Sequence, residues 1–261
     1  MSRNLLQNIR GCWSPSLGPT GVRVLDRTQF RRHATSQSML QFSPSSISGG
    51  ENWKGRQGGW SFDLTAASGT GNNVLEANVP PTEFASNLTV TQWVRLRTGG
   101  SNARRLNILF WCDTTTNLPF LQLYNLNNQT VSYYWSGAQQ GSSYAVGADW
   151  ALMAMTWKAD DFRFFVNNVK VVSSSANQLY ARPNARIYFG EVGVTEDASW
   201  GECAIWNRTL TDTEVVMIRQ LGNGALGRML TQQPPSRAYR VSDVKPYLFV
   251  RRSIIIGGGL Q

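Results

Sequence analysis

The sequence predicts an all-β fold: an antiparallel two-sheet sandwich of jelly-roll type, with one short C-terminal helix and extended basic arms at both ends. Three observations lead there. Short apolar runs alternating with period two recur over residues 60–206, set off by Gly, Asn, Ser and Pro. Two of these runs meet across Asn167-Asn168, residues that tolerate positive φ and so suit a tight hairpin. Residues 200–224, WGECAIWNRTLTDTEVVMIRQLGNG, pack a strand, a turn and a capped helix into one stretch.

Taken in order, residues 1–10 read as an N-terminal arm and 11–13 as the first short strand. Pro15, Gly18, Pro19 and Gly21 punctuate a loop, after which residues 22–25 resume pairing. Residues 26–35 form a basic loop carrying Arg27, Arg31, Arg32 and His33, and residues 36–59, rich in Ser and Gly, read as a long surface loop. Trp60, Phe62 and Leu64 alternate and open the sandwich proper. Strands follow at 88–96, 106–111, 120–124 and 131–135, with a polar turn at 113–118. Residues 150–157, WALMAMTW, are apolar on both faces, as a central strand in a two-sheet stack would be. Residues 162–166 and 169–172 make the hairpin, and 187–189 a further strand.

In the closing stretch, Cys203 and Ile205 alternate with Glu202, Ala204 and Trp206. Thr211 lies three residues before Glu214, the spacing of a capping box, and Leu210 and Val215 occupy the hydrophobic-staple positions. Val215, Ile218 and Leu221 share one helical face, and Gly222 stands where a left-handed C-cap belongs. Beyond Gly227, Pro234, Pro235 and Pro246 interrupt any period. The domain plan is an arm over 1–10, a sandwich over 11–227 and an extended arm over 228–261.

Gly201, Trp206, Asn207, Arg208, Leu210, Thr211 and Glu214 resemble the closing motif of the laminin-G-like branch of the concanavalin A-like lectin/glucanase superfamily. Trp13, Asp26 and Thr28 are similar to its opening run, Gly59, Phe62 and Asp63 to an early strand, and Thr89, Val90, Trp93 and Val94 to the next. The resemblance spans about residues 11–227 and implies the concanavalin A-like fold. The chain departs from the pattern in its Arg-rich opening turn, in lacking Gly after Asp63, and in Asn168 where Gly is usual. The opening GCWSPSLG is also similar to sandwich proteins encoded by tailed bacteriophages, which decorate heads or build tail appendages.

Charge is segregated. Residues 1–60 carry eight Lys/Arg against two Asp/Glu, residues 61–230 twelve against thirteen, and residues 231–261 five against one. A near-neutral body with basic ends points to an acidic partner. No apolar run approaches the roughly 20 residues a membrane helix needs. MSRNLLQNIR lacks the apolar segment of a secretory signal, so Asn87, Asn128 and Asn207, which begin N-x-T triplets, are not expected to carry glycans. Cys12, Cys112 and Cys203 are expected to be reduced, buried thiols.

Catalytic patterns are sparse. His33 is the single histidine, beside Arg31 and Arg32, whose charges favour the neutral imidazole. Glycosidases on the fold that the resemblance implies use the run E-x-D-x-x-E, which does not occur here. Glu191, Glu196, Asp197 and Glu202 form the densest acidic group. Its Glu196 and Asp197 are weak candidates for a Ca2+ site, against salt bridges to Arg186 and Arg208. No other cofactor is expected.

The resulting expectation is a non-enzymatic virion structural protein: a capsid decoration or cement protein, made in the host cytoplasm and homo-oligomeric in the assembly. It would be anchored to the major capsid protein or other virion subunits. Arg3, Arg10, Arg27, Arg31, Arg32, Arg237, Arg240, Arg251, Arg252, Ile254, Ile255 and Ile256 are the expected contact residues. The alternative is a carbohydrate-binding, lectin-like module, or a tail or fibre component adhering to a host surface. Tyr133, Trp135 and Tyr144 would then be the sugar-binding aromatics. Neither a membrane nor sequence-specific nucleic acid is an expected partner.

Overall fold

The computed structural model of the chain describes residues 5–15, 23–36, 42–44, 60–63, 75–84, 86–96, 106–113, 119–126, 130–135, 138–139, 144–147, 149–158, 160–174, 185–189 and 198–232. Strands are numbered in chain order. The first sheet holds β1 (Ile9–Trp13), β4 (Phe42–Pro44), β5 (Trp60–Asp63), β7 (Asn87–Leu96), β13 (Ala151–Lys158), β14 (Asp161–Val166), β15 (Val169–Ser174) and β17 (Ala198–Trp206). Its order is β15-β14-β13-β7-β17-β5-β4, and β1 also pairs with β17. The second sheet holds β2 (Arg23–Val24), β3 (Ala34–Ser36), β6 (Leu75–Ala77), β8 (Leu106–Asp113), β9 (Pro119–Leu126), β10 (Thr130–Trp135), β11 (Ala138–Gln139), β12 (Tyr144–Ala145) and β16 (Ala185–Phe189). Its order is β11-β10-β9-β8-β16-β6-β3-β2, with β12 on β10. The described pairings are antiparallel, and the two-sheet, jelly-roll-like architecture is the one expected.

Alternation along the strands explains two cores. Val90, Val94, Met153, Met155, Phe164, Cys203 and Ile205 point from the first sheet toward Leu75, Ala77, Ile187 and Phe189 of the second. The intervening residues Trp93, Leu152, Ala154, Phe165, Ala204 and Trp206 point the other way and are buried too. Helix α1 (Asp212–Leu221), helix α2 (Ala225–Gln232) and the segment around Leu5 and Ile9 cover them. Strand β13 is therefore apolar on both faces because each face has its own cover.

The hairpin β14–β15 turns on Asn167 and Asn168 at φ 50° and 73°, the primed-turn geometry that suits the strand twist. Helix α1 begins with the expected capping box. The Thr211 hydroxyl accepts from the Glu214 N–H at 3.2 Å, and the Glu214 carboxylate accepts from the Thr211 N–H at 2.9 Å. Leu210 and Val215 are fully buried at the staple positions. Gly222 ends the helix at φ 90° and ψ 169°, an extended glycine conformation rather than the left-handed helical cap expected.

Three expectations are corrected. The N-terminal arm gives way to the sandwich earlier than residue 10. Leu5 and Ile9 are buried in the outer core, the Trp206 indole donates to the Leu5 carbonyl at 2.9 Å, and Asn207 N–H donates to the Asn8 carbonyl at 2.9 Å. Residues 36–59 include β4, which pairs with β5. A second helix, α2, runs through Gln232, where an extended arm was expected from 228. Its first amides are capped by a carboxylate 24 and 25 residues upstream, so no local spacing announces it.

Thr211→Ala removes the cap of α1 and is expected to lower unfolding stability by about 1 kcal/mol. Denaturant titration checks this: the midpoint should fall without a change of slope.

Candidate functional site

The basic loop expected at residues 26–35 is held by one buried carboxylate. Asp26, 4% exposed, accepts from the Cys12 and Thr28 N–H groups through Oδ1, each at 2.9 Å. Its Oδ2 accepts from the Thr28 hydroxyl and the Arg32 N–H, again at 2.9 Å. A carboxylate so fully hydrogen-bonded can be buried without a cationic partner. Two further bonds close the loop onto β1: the Trp13 indole donates to the Arg32 carbonyl at 2.7 Å, and Arg27 N–H donates to the Cys12 carbonyl at 2.8 Å. His33 Nδ1 accepts from the Asp26 N–H at 3.1 Å, so the ring is part of the loop's own hydrogen bonding.

This frame fixes where the cations go. Arg32 pairs with Glu83 through both terminal guanidinium nitrogens. The Arg32 and Arg10 guanidinium carbons each lie 5.0 Å from the centre of the Phe30 ring. Arg31 is held at φ 52°, a region non-glycine residues seldom enter. Of the arginines expected to meet a partner, Arg27, Arg31 and Arg32 thus lie in this loop and Arg10 of β1 lies against its Phe30.

A second buried acid lies close by. Glu202, on β17, is 1% exposed and accepts from the Leu226 N–H at 3.2 Å and the Gly227 N–H at 2.7 Å, at the start of α2. The approach is close: a Cβ on Gly227 would stand 2.7 Å from Ser14 Cβ. Burial pushes the Glu202 carboxyl up to about 7, against the opposing pull of the Gly227 and Leu226 amides, the Ser14 hydroxyl and Arg228. Cys12 and Cys203 are free, buried thiols, raised well above the usual range first by burial and then by the Glu202 charge. Glu202 therefore cannot serve as a rim ligand for Ca2+ alongside Glu196 and Asp197. The expected salt bridges are also re-sorted, since Arg186 pairs with Glu76 and Arg208 with Glu214.

Of the expected sugar-binding aromatics, Tyr144 packs on the inter-sheet core, edge-on to Phe164 with ring centres 5.7 Å apart. Tyr133 and Trp135 lie on β10, opposite Leu123 and Leu121 of β9, and their side chains fall outside the described residues. Arg3, Glu191, Glu196, Asp197, Arg237, Arg240, Arg251, Arg252, Ile254, Ile255 and Ile256 also lie outside them, as does the side chain of Cys112. Among the described residues, no group of three or more His, Cys, Asp or Glu is arranged to hold a metal ion. No described helix is long and apolar enough to cross a membrane.

An antiparallel two-sheet sandwich whose outer face is closed by a capped helix after the Trp-Asn-Arg strand defines a lectin-type fold. The chain belongs to the family described as the concanavalin A-like lectin/glucanases superfamily, of the Laminin_G_3 type, which it matches over residues 68–216. No curated protein matches it. Among solved structures it is similar to the binding domain of botulinum neurotoxin DC, described in complex with rat synaptotagmin II. The TM-score is 0.61 at 10% identity, over 87% of this chain and 52% of that one. It is similar also to botulinum neurotoxin type C, whose cell entry is described as dependent upon two ganglioside molecules (TM-score 0.62, 9% identity, 88% of this chain and 53% of that one). A third is Trypanosoma rangeli sialidase (TM-score 0.51, 14% identity, 82% and 33%). The chain spans about half the length of the neurotoxin structures and a third of the sialidase. At these identities the likeness is one of fold.

Glu202 generates a pH prediction. Its folded value lies above the ordinary 4.5, so between pH 4.5 and 7 the folded chain keeps a proton that the unfolded chain has lost. Its contribution to stability therefore falls as pH rises through that window and levels off above it. At 1.36 kcal/mol per unit, the loss is about 3 kcal/mol. Glu202→Gln should be less stable than the natural chain near pH 5, because its amide NH2 opposes a backbone N–H. That gap should close or reverse by about pH 8, as read by urea midpoints across the range.

Proposed function

We propose that the chain is a non-enzymatic carbohydrate-binding module acting at a glycan-bearing surface. The observation that carries this reading is the fold. The family is one of lectins and glucanases, and the likeness extends over more than four-fifths of the chain to a toxin binding domain and to a toxin whose cell entry is described as dependent upon gangliosides. The acid–base groups of the described loop fit binding better than hydrolysis. His33 is engaged by the Asp26 amide, and the Asp26 and Glu202 carboxylates hold backbone amides, so each is used to build the frame. A retaining glycosidase needs two carboxyls free to flank the scissile bond.

The capsid-decoration reading, with its phage origin, virion location, major-capsid-protein partner and homo-oligomeric assembly, stands behind this one. It depended on arms clamped by neighbours, and from Leu5 onward the N-terminal segment is engaged by its own chain through Trp206, Arg208 and Asn207. Tyr133 and Trp135 remain the proposed sugar-stacking residues.

The test is a glycan array probed with the full chain. Binding above background to a defined set of glycans is expected, with Trp135→Ala reducing it if the sugar stacks on β10. A chain silent across the array would sink the reading. Loss of particle co-sedimentation on deleting residues 246–261 would instead restore arm anchoring.

A further inference from the structure

We propose that the loop over residues 26–33, together with Arg10 of β1, is a binding site for an acidic saccharide, one bearing a carboxylate or sulfate group. The proposal rests on the carbohydrate-binding reading and names its ligand class. The first observation is the fate of the charges. Residues 10–33 contain five arginines, Arg10, Arg23, Arg27, Arg31 and Arg32, and one acid, Asp26. That acid is buried and each of its oxygens already accepts two hydrogen bonds, so it neutralises nothing at the surface. Glu83 occupies Arg32. Among the described residues, Arg10, Arg27 and Arg31 have no carboxylate partner.

The second observation is preorganisation. Arg10 is placed by Phe30, whose ring centre lies 5.0 Å from its guanidinium carbon, and the Nε atoms of Arg10 and Arg27 are buried with no hydrogen-bond partner among the described residues. The exposed Arg31 sits in a strained backbone conformation, held by hydrogen bonds from its N–H to the Thr28 carbonyl and from the His33 N–H to its own carbonyl. A loop constrained this tightly loses little entropy when an anion arrives. Guanidinium groups bind carboxylate and sulfate oxygens through paired N–H donors, and they do so better than the compact ammonium of lysine.

The same geometry disfavours other occupants. The chain's own C-terminal segment, residues 231–261, carries five Lys/Arg against one Asp/Glu and would be repelled. Single-stranded nucleic acid needs an open aromatic face for base stacking, and Phe30 is already taken by Arg10 and Arg32.

The experiment is calorimetric titration of the full chain with sialyllactose, a heparin-derived hexasaccharide, lactose and an oligo(dT) strand. It is run on the natural chain, on Arg10→Gln/Arg27→Gln/Arg31→Gln and on Trp135→Ala. The natural chain should bind at least one acidic saccharide, more weakly as salt is raised, and lactose at least about tenfold more weakly. Which acidic probe binds tells carboxylate from sulfate. The triple variant should lose about tenfold or more of that affinity while keeping its thermal midpoint. If it does not fold, Arg31→Gln alone, at an exposed side chain, gives the same reading with a smaller loss. Equal binding of lactose and the acidic probes, or unchanged affinity in a folded variant, overturns the acidic site and leaves saccharide binding standing. Acidic-saccharide binding lost only in Trp135→Ala does the same, and moves the sugar to β10. Tighter binding of oligo(dT) than of either acidic saccharide also overturns it. Binding to none of the saccharides overturns it, and an array silent as well removes the reading beneath it.

Discussion

The constraint on which this architecture depends is that the central strands of the first sheet are apolar on both faces. Trp93, Leu152, Ala154 and Trp206 point away from the second sheet, and leaving them in water would forfeit on the order of 1.5–3 kcal/mol for each large side chain. Something must cover them, and among the described residues Leu5 and Ile9 of the N-terminal segment, with Val215 and Ile218 of α1 and Leu226 of α2, pack in the same cluster. The capping box of α1, the Trp206 bond to Leu5 and the Glu202 clamp on α2 all serve to keep that cover in place. The described residues from Leu5 onward and through α2 therefore pack inward on their own chain.

Much of this was legible in the sequence, for local reasons. The β14–β15 hairpin announces itself because two runs of period two and two residues tolerant of positive φ lie within fourteen consecutive positions. The start of α1 is equally local, since Thr211, Glu214, Leu210 and Val215 encode cap and staple within six positions. Helix α2 is the counterexample. Its N-terminus is satisfied by Glu202 on β17, and its apolar face, Leu226 and Leu230, is too short to declare a period. A long-range cap carries no sequence spacing, so the stretch reads as tail. The buried N-terminal segment escaped for a related reason: Leu5 and Ile9 are two apolar residues whose partner, Trp206, lies about two hundred positions away.

The site was legible as composition but not as geometry. Arg27, Arg31 and Arg32 were visible as a basic cluster, and Asp26 as part of a family-like opening run. Nothing in their order says that Asp26 turns inward and gathers four hydrogen bonds while Arg31 is left exposed. Nor does it separate Arg32, quenched by Glu83 fifty-one residues on, from Arg27 and Arg31. Glu202 misled in the opposite sense. Its neighbours in sequence suggested an acidic rim, whereas the strand alternation that places Trp206 in the outer core places Glu202 on that same buried face.

Asp26 and Glu202 together explain the electrostatic character of this corner. Burial raises the Cys12 thiol on β1, and the Glu202 and Asp26 charges raise it further. Asp26 is surrounded by four donors. Glu202 has two backbone amides and a hydroxyl, and burial still prevails. Among the described residues neither acid forms a salt bridge with Arg10, Arg27 or Arg31. The acids stabilise backbone from within, and the cations they might have neutralised remain at the rim. A frame that uses its carboxylates internally leaves an outward-facing positive loop as a consequence of its own folding, and the partner such a loop selects is an anion small and rigid enough to meet guanidinium donors already in position.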